Sequence, residues 1–241
     1  MEPIDVSKIR RIGSLIPSTN AMLEIEFNRV LPRHYQLHVS RLQMGPINET
    51  GFRMQDADID YQSRLMRSLR VEYVVLAQTN VSFFAADYDE TVTRRITDAT
   101  GAPSATAGAL LGQGIKFLGA RRIAFISPYG DELNAMGRKY YQDKHGLEVT
   151  RLGSIGQAAT SDMVNDINPE VGWTALKGAD GPDVDGFIIA GAMPTLHSIA
   201  GWEQALGKPV ATTIQAAMWG ALQATGGETI KGYGRLLEEK R

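Results

Sequence analysis

The stretch that decides the fold is Val74-Val75-Leu76-Ala77-Gln78-Thr79-Asn80-Val81-Ser82-Phe83. Its first four residues are apolar and two of them are β-branched, which predicts a short strand buried within a sheet. Small hydrogen-bonding side chains follow at once, so they would stand at the carboxyl end of that strand. Open α/β sheets bind their ligands at this end. The stretch therefore predicts a buried strand and also the position of a site.

A second stretch ends in the same way. The apolar run at residues 184–190 leads directly into Gly191-Ala192-Met193-Pro194-Thr195. Because ligands of α/β folds gather at the carboxyl ends of the strands, we expect these two strand ends to be partners. Whatever chemistry the protein performs is then expected between them.

Strand and helix patterns alternate along the whole chain, which predicts right-handed βαβ units and parallel sheets. The order of elements also occurs twice, because Pro17 precedes Gln78 by nearly the same interval as Pro128 precedes Ala190. We therefore predict an α/β fold with two pseudosymmetric parallel-sheet lobes and an active site in the cleft between them. The first lobe spans residues 1–118, with its final helices free to cross over. The second spans residues 119–241, with a tail that packs back on the first.

Hydrophobic periodicity and turn residues give the expected elements. Residues 45–56 lack periodicity and predict a long loop. The predicted strands cover residues 11–16, 35–42, 74–77, 121–127, 147–152, 184–190 and 210–212. The predicted helices cover residues 21–27, 60–69, 87–99, 105–118, 131–144, 161–176, 195–206 and 214–224.

Composition excludes several classes of function. With 25 basic and 27 acidic residues the net charge is −2, so no excess of positive charge indicates a nucleic-acid partner. No run approaches the roughly 20 apolar residues that span a bilayer, and the N-terminus has no apolar signal core. We therefore expect a cytoplasmic protein without a membrane partner. The chain has no cysteine, which excludes disulfides, thiolate nucleophiles and cysteine-bound metals.

Five short motifs occur in a fixed order between residues 11 and 236. They are Gly13-Ser14-Leu15-Ile16-Pro17-Ser18-Thr19-Asn20 with Glu24, Gln78-Thr79-Asn80-Val81-Ser82-Phe83, Ile126-Ser127-Pro128-Tyr129, residues 190–196, and Gly232-Tyr233-Gly234-Arg235-Leu236. In this order they resemble the aspartate/glutamate racemase superfamily, and most closely its maleate isomerase and arylmalonate decarboxylase branch. The resemblance implies a two-lobe α/β fold whose active site uses neither a metal nor an organic cofactor. It also implies a small carboxylate substrate and a possible homo-oligomer.

The resemblance places cysteines at positions where this chain has none. Racemases and isomerases of the superfamily carry one cysteine at each strand end, and decarboxylases of the branch keep the second. By motif register these positions are Gln78 and Ala190 here. A two-thiol racemase and a thiol-adduct isomerase are therefore excluded, and decarboxylase chemistry loses its usual proton donor.

The anion-holding part of the family pattern is retained. The resemblance implies that a carboxylate contacts hydroxyl and amide side chains, next to Pro17 and to backbone N–H groups near the second strand end. Such a pocket would stabilise a carboxylate or an enediolate. An asparagine typical of the branch falls at Ser161 in a loose register. The implied substrate-binding residues are Pro17, Asn20, Thr79, Asn80, Ser82, Ala190, Gly191 and Ala192, with Tyr129 and Gln78 as catalytic candidates.

Each of these residues also has a structural interpretation. Asn20 could cap a helix, the polar residues after the first strand could satisfy a helix N-terminus, and Tyr129 could be a core aromatic. Gln78 cannot act as an acid or base near neutral pH, but it can orient substrate or water, or merely fill the space of a thiol. For proton transfer, His197 is the best-placed histidine, and Tyr129 and Tyr88 would need lowered pKa values.

These observations predict a cofactor-independent enzyme that acts on a small carboxylic acid, either as a decarboxylase-like lyase or as a non-thiol isomerase. No metal ligand set is predicted. Two alternatives remain open. One is a non-catalytic carboxylate-binding protein of the same fold, and the other is a hydrolase whose water is positioned by Gln78.

Overall fold

A computed structural model describes residues 5–156, 165 and 167–240. It contains two four-stranded parallel sheets, with strand orders β2-β1-β3-β4 and β6-β5-β7-β8. The predicted fold class is therefore confirmed. The strands are β1 (Arg10–Pro17), β2 (Tyr35–Leu42), β3 (Tyr73–Leu76), β4 (Ser104–Thr106), β5 (Arg122–Ser127), β6 (Glu148–Ser154), β7 (Gly186–Ile189) and β8 (Val210–Thr212).

Helices cover the faces of both sheets. None of those described is long and apolar enough to cross a bilayer. The helices are α1 (Met22–Val30), α2 (Glu49–Arg67), α3 (Tyr88–Thr100), α4 (Ala107–Phe117), α5 (Asp131–His145), α6 (Pro169–Ala179), α7 (Leu196–Leu206), α8 (Thr213–Thr225) and α9 (Arg235–Glu238).

The two sheets repeat one arrangement. The central strands β3 and β7 are four residues long and buried throughout, as expected for strands covered on both faces. In the first sheet Leu15 pairs with Leu76, and in the second Ile126 pairs with Ile189. The pairing shows that the halves are pseudosymmetric at the level of backbone register.

One hydrophobic cluster extends across both lobes, and a second one lies within the first lobe. Helix α4 packs against α8 and also contacts β7 and β8, while α8 contacts β3 of the first sheet. A single buried cluster includes Val75 of β3 and Ile188 of β7. Near the C-terminus, α9 packs on α4 and α8, where Leu236 lies against Gly114. The division at residues 118 and 119 stays a prediction, because α4 of the first lobe packs on the second sheet and α8 of the second lobe packs on the first sheet.

The predicted loop at residues 45–56 is wrong, since α2 begins at Glu49. Its first turn is capped by Asn48, whose side chain accepts a hydrogen bond from Gly51 N–H at 3.2 Å. Glycine is typical of loops, but Gly51 in this first turn allows the helix to pack closely against Pro46. A Cβ on Gly51 would lie 1.9 Å from the carbonyl oxygen of Pro46.

Two other boundaries also differ from the prediction. Residues 104–106 form β4, which pairs with β3, so the helix predicted from residue 105 begins at Ala107. The helix predicted at residues 161–176 is described from Pro169, which stands at its first position after the capping residue Asn168. Residues 161–164 and 166 lie outside the described residues.

Candidate active site

A cavity lies between the two sheets, where β1, β3, β5 and β7 end. Its empty volume is about 480 Å³, part of which is open to solvent. Its position agrees with the rule that ligands of α/β sheets bind beyond the carboxyl ends of the strands. The lining residues are Pro17, Thr19, Asn20, Met44, Ile47, Ala77, Gln78, Thr79, Asn80, Tyr129, Asn165, Gly191, Ala192 and Thr213.

The end of β3 supplies three consecutive polar side chains to this cavity. Gln78, Thr79 and Asn80 all line it and are all at least nine-tenths buried. The side-chain oxygen of Gln78 is buried without a hydrogen-bond partner. A buried polar atom that lacks a partner is costly unless a ligand or water satisfies it. The side-chain oxygen of Gln78 is therefore available to accept a hydrogen bond from a bound molecule.

Asn20 caps a helix and also lines the cavity. Its side-chain oxygen accepts a hydrogen bond from Leu23 N–H at 3.1 Å and so caps the start of α1. Its amide nitrogen is buried without a partner in the wall of the cavity. The cap fixes the orientation of the side chain, and the amide N–H group remains as a donor for an anion.

A hydroxyl pair connects the lobes across the cavity. The Oγ1 atoms of Thr79 and Thr213 are 2.9 Å apart, and Thr213 Oγ1 also accepts the N–H group of Gly191 at 3.0 Å. When Thr213 donates its own proton to Thr79, the hydroxyl proton of Thr79 is left for a ligand. Sequence reasoning missed Thr213, and it expected the Gly191 N–H group to be a donor to substrate. That group donates to Thr213 instead.

Tyr129 lines the cavity from the second lobe but cannot serve as a base. Its burial raises the pKa of the hydroxyl above the usual value of about 10. Tyr88, the other tyrosine considered, donates to Asp56 at 3.0 Å and lies outside the lining, and burial raises its pKa as well. Burial therefore shifts the pKa values of Tyr129 and Tyr88 upward, which is opposite to the lowering that proton transfer would need. Tyr129 is a neutral hydrogen-bond donor.

The partner of Gln78 in the second lobe is Gly191 rather than Ala190. Ala77 N–H donates to Leu15 O, and Ala190 N–H donates in the same way to Ile126 O, each at 2.8 Å. The next residues, Gln78 and Gly191, are thus equivalent, and both line the cavity. Ala190 is fully buried and is not part of the lining. The motif register that matches Ala190 to the second cysteine position of the family stays a prediction.

Gly191 has a backbone conformation that cysteine rarely adopts. Its φ is +104°, within the region that favours glycine. Glycine has no side chain, and any residue with a Cβ at position 191 would be strained in this conformation. At this position the second strand end carries no side chain, whereas the first strand end carries Gln78.

Two predicted site residues lie elsewhere. Ser82 donates to Asp89 at 2.6 Å and contacts Thr106 at 3.3 Å, so its hydroxyl is committed behind the cavity wall. His197 is exposed on α7, and its ring lies 5.6 Å from that of Tyr233. The structure brings neither of them to the cavity, because the chain turns away from the strand ends before these positions.

Asn165 is a lining residue that sequence reasoning missed. It joins the lobes, since its Nδ2 donates to Thr19 O at 2.6 Å and its Oδ1 accepts Ala21 N–H at 3.2 Å. The asparagine typical of the branch had been placed at Ser161, which lies outside the described residues. The sequence does contain an asparagine near that position, since Asn165 occurs four residues after Ser161.

The described lining contains no aspartate, glutamate, histidine, lysine or arginine. Its polar groups are amides and hydroxyls, which can donate hydrogen bonds but cannot exchange protons near neutral pH. Across the described residues no group of three histidine or acidic side chains could hold a metal ion. The arrangement is suited to hold an anion and to stabilise negative charge that develops on it.

Comparisons with known proteins agree with this architecture. The family model for arylmalonate decarboxylase matches residues 12–237. Arylmalonate decarboxylase of Bordetella bronchiseptica is 27% identical over 240 residues, which cover 95% of this chain and 96% of that protein.

Solved structures give the same result. A variant of maleate isomerase from Pseudomonas putida S16, crystallised with maleate, superposes with a TM-score of 0.88 at 25% identity and covers 95% of this chain and 98% of its own. A double variant of arylmalonate decarboxylase in its liganded form also gives 0.88, at 26% identity, over 96% of this chain and 100% of its own. The predicted resemblance is confirmed, and the chain belongs to the arylmalonate decarboxylase family, whose relatives include decarboxylases and isomerases.

Proposed function

We propose that the protein binds a malonate-like dicarboxylate in this cavity and promotes loss of one carboxylate as CO₂. The observation that supports the proposal is a buried set of hydrogen-bond donors with no aspartate, glutamate, histidine, lysine or arginine among the described lining residues. Decarboxylation begins with the cleavage of a C–C bond, so no base is needed for its first step. Among the reactions of the family it demands least of proton-transferring side chains.

The step balances without a cofactor. The bond between the α-carbon and one carboxylate breaks, its electron pair moves into the remaining carboxylate, and CO₂ leaves. The resulting enediolate would be stabilised by the amide of Asn20 and the hydroxyls of Thr79 and Tyr129. Water then donates a proton to the α-carbon. The Gln78 side chain, whose oxygen is buried without a partner, is suited to orient that water.

Isomerisation and racemisation fit this cavity less well. Racemisation removes a proton from carbon, and thiol-dependent isomerisation adds a nucleophile to it. The described lining offers neither a base nor a nucleophile activated by one. For the same reason a Gln78-positioned water would lack a base to activate it in a hydrolase.

The same observation supports one second candidate, which is carboxylate binding without turnover. A cavity of donors holds an anion whether or not a bond is cleaved. The two candidates differ in whether the donors contact the negative charge that forms in the transition state more strongly than the charge of the ground state.

An experiment in deuterated water separates the candidates. Purified protein is incubated with α-methyl-α-phenylmalonate and followed by proton NMR, with calorimetry for binding. We expect 2-phenylpropionate that carries one deuterium at the α-carbon. The Asn168→Asp variant, changed at a helix cap outside the cavity lining, should behave as the wild type does. Binding without product supports the second candidate, and the absence of both binding and product contradicts both.

A further inference from the structure

The short loop between β1 and α1 presents the amide of Asn20 to the cavity. Ser18 in this loop is exposed and Thr19 is only partly buried, so packing alone does not fix the backbone there. The direction in which the Asn20 side chain points therefore depends on hydrogen bonds that reach the loop from other elements.

Arg41 supplies two of these hydrogen bonds. It is the second-last residue of β2, and its Nη1 donates to the carbonyl oxygens of Ser18 at 3.0 Å and Asn20 at 3.1 Å. Its Nη2 pairs with the carboxylate of Glu24 in the first turn of α1. One guanidinium thus joins the end of β2, the loop and the start of α1, a task that suits its rigid fork of donors.

The second lobe holds the same loop between these two contacts. Asn165 Nδ2 donates to the carbonyl oxygen of Thr19 at 2.6 Å. The carbonyl groups of three consecutive residues, 18, 19 and 20, therefore all accept hydrogen bonds from side chains outside the loop. Arg41 holds two of the three, including that of Asn20 itself.

We propose that Arg41 is a positioning residue of the carboxylate site, which fixes the loop backbone so that the Asn20 amide donates to a bound anion. Glu24 in turn fixes the guanidinium. Arg41 is not among the described lining residues, so it acts through Asn20 and not by contact with the anion. The ligand in this inference rests on the function proposed above, whereas the contacts with the loop do not.

Positioning and charge attraction make opposite predictions for the two members of the pair. The side chains of Arg41 and Glu24 are 43% and 32% exposed, so water and salt screen their charges. If Arg41 acted by its charge, Arg41→Gln would weaken anion binding and Glu24→Gln would strengthen it. If Arg41 acts by its position, both substitutions weaken binding, because each loosens the guanidinium from the loop.

The test measures the affinity for phenylmalonate by calorimetry. We expect binding to weaken about tenfold in Arg41→Gln and about threefold in Glu24→Gln, because a misdirected donor to a charged group loses part of its contribution. In an Asn20→Ala background, Arg41→Gln should have no further effect, since the two residues act as one unit. Stronger binding in Glu24→Gln, or the full tenfold loss in the Asn20→Ala background, overturns the proposal.

Arg10→Gln is the matched control. Arg10 begins β1 at the end of the sheet away from the cavity, its side chain is also 43% exposed, and its Nη1 pairs with Glu72 at 2.8 Å. This variant loses an ion pair of the same kind and should bind phenylmalonate as the wild type does. An equal loss of affinity in both arginine variants would mean that any such pair supports the site, which contradicts a specific role for Arg41.

A measurement without ligand separates this proposal from the proposed function. If the wild type binds no phenylmalonate, the proposed function fails, and hydrogen exchange in NMR spectra still tests the loop. Leu23 N–H donates to Asn20 Oδ1, so its exchange reports how firmly Asn20 is held. We expect exchange about tenfold faster in Arg41→Gln and unchanged in Arg10→Gln. An unchanged Leu23 amide in Arg41→Gln overturns the role of Arg41 itself.

Discussion

The strand end after β3 carries three polar side chains, Gln78, Thr79 and Asn80, whereas the strand end after β7 carries Gly191 and Ala192. The backbones of the two ends are equivalent as far as Ala77 and Ala190, which make the same hydrogen bond to the neighbouring strand. At the next residue the ends differ in backbone and in side chain, since Gly191 has a φ of +104° and Gln78 has no positive φ. Pseudosymmetry of the fold has been kept while symmetry of the chemistry has been lost.

This difference indicates how a ligand would be held. The first lobe offers amide and hydroxyl donors, so a carboxylate would contact that side of the cavity. The second lobe carries no side chain at Gly191, and we expect a substituent on the α-carbon to lie on that side. A cavity with two equivalent sides suits removal of a proton from one face and return to the other. A cavity with one polar side suits stabilisation of one charge.

The largest expected effect tests which residue of the second strand end, Ala190 or Gly191, is equivalent to Gln78. Single cysteines are introduced as Gln78→Cys, Gly191→Cys and Ala190→Cys, and their reaction with a small thiol reagent is followed in the native protein. The chain has no other cysteine, so each signal comes from the new thiol. Residue 190 is fully buried, so we expect its thiol to react about 10³-fold more slowly than the two that line the cavity, because it must wait for local opening.

Rates measured in denaturant provide the control, since all three thiols should then react alike. Gly191→Cys should also lower the free energy of unfolding by about 1–2 kcal/mol, because its φ of +104° is strained for any residue with a Cβ. Fast reaction at residue 190 together with slow reaction at 191 would show that Ala190, as the motifs suggest, is the residue that faces the cavity.

The next effect removes the donor of the first lobe while its helix cap is kept. Asn20→Asp retains an oxygen for Leu23 N–H but replaces the buried amide with a carboxylate. We expect phenylmalonate to bind about 100-fold more weakly, because a hydrogen bond to a charged group contributes about 1.5–3 kcal/mol and repulsion adds to its loss. Calorimetry measures the affinity, and the melting temperature should be unchanged.

Asn168→Asp is the matched control for this substitution. Asn168 caps α6 with its side-chain oxygen, which accepts Glu170 N–H at 2.9 Å, and it does not line the cavity. This variant should bind phenylmalonate as the wild type does. Equal affinities for the two variants would show that Asn20 is a helix cap and nothing more.

The sequence was sufficient for the architecture because the information lies in short apolar runs. Strands such as β3 and β7 are buried on both faces and therefore read as continuous apolar residues. It was also sufficient for most of the first lobe's contribution to the cavity, since Gln78, Thr79 and Asn80 follow the strand directly. Whether these residues act in the proposed way stays a prediction.

Contacts between residues distant in sequence could not be read from local patterns. Thr213 reaches Thr79 only because α8 crosses to the first sheet, and Asn165 meets Thr19 across the cavity mouth. The family resemblance implies that Ser82 contacts a carboxylate, but its hydroxyl donates to Asp89 of α3. The backbone equivalence of Gln78 with Gly191 is likewise set by hydrogen bonds within each sheet, and motif spacing does not reveal it.

The smallest expected effect concerns the donor that the second lobe retains. Tyr129→Phe removes a hydroxyl whose pKa is raised by burial, so the group stays protonated at every pH where the protein would be assayed. We expect turnover of α-methyl-α-phenylmalonate to fall about tenfold, in keeping with about 1–1.5 kcal/mol for a neutral hydrogen bond, while the shape of the pH profile is unchanged. Tyr141→Phe, which removes a buried hydroxyl without a partner outside the cavity lining, should have no effect on turnover. A pH profile altered by Tyr129→Phe would mean that this hydroxyl transfers a proton, and the second lobe would then retain an acid in place of the missing thiol.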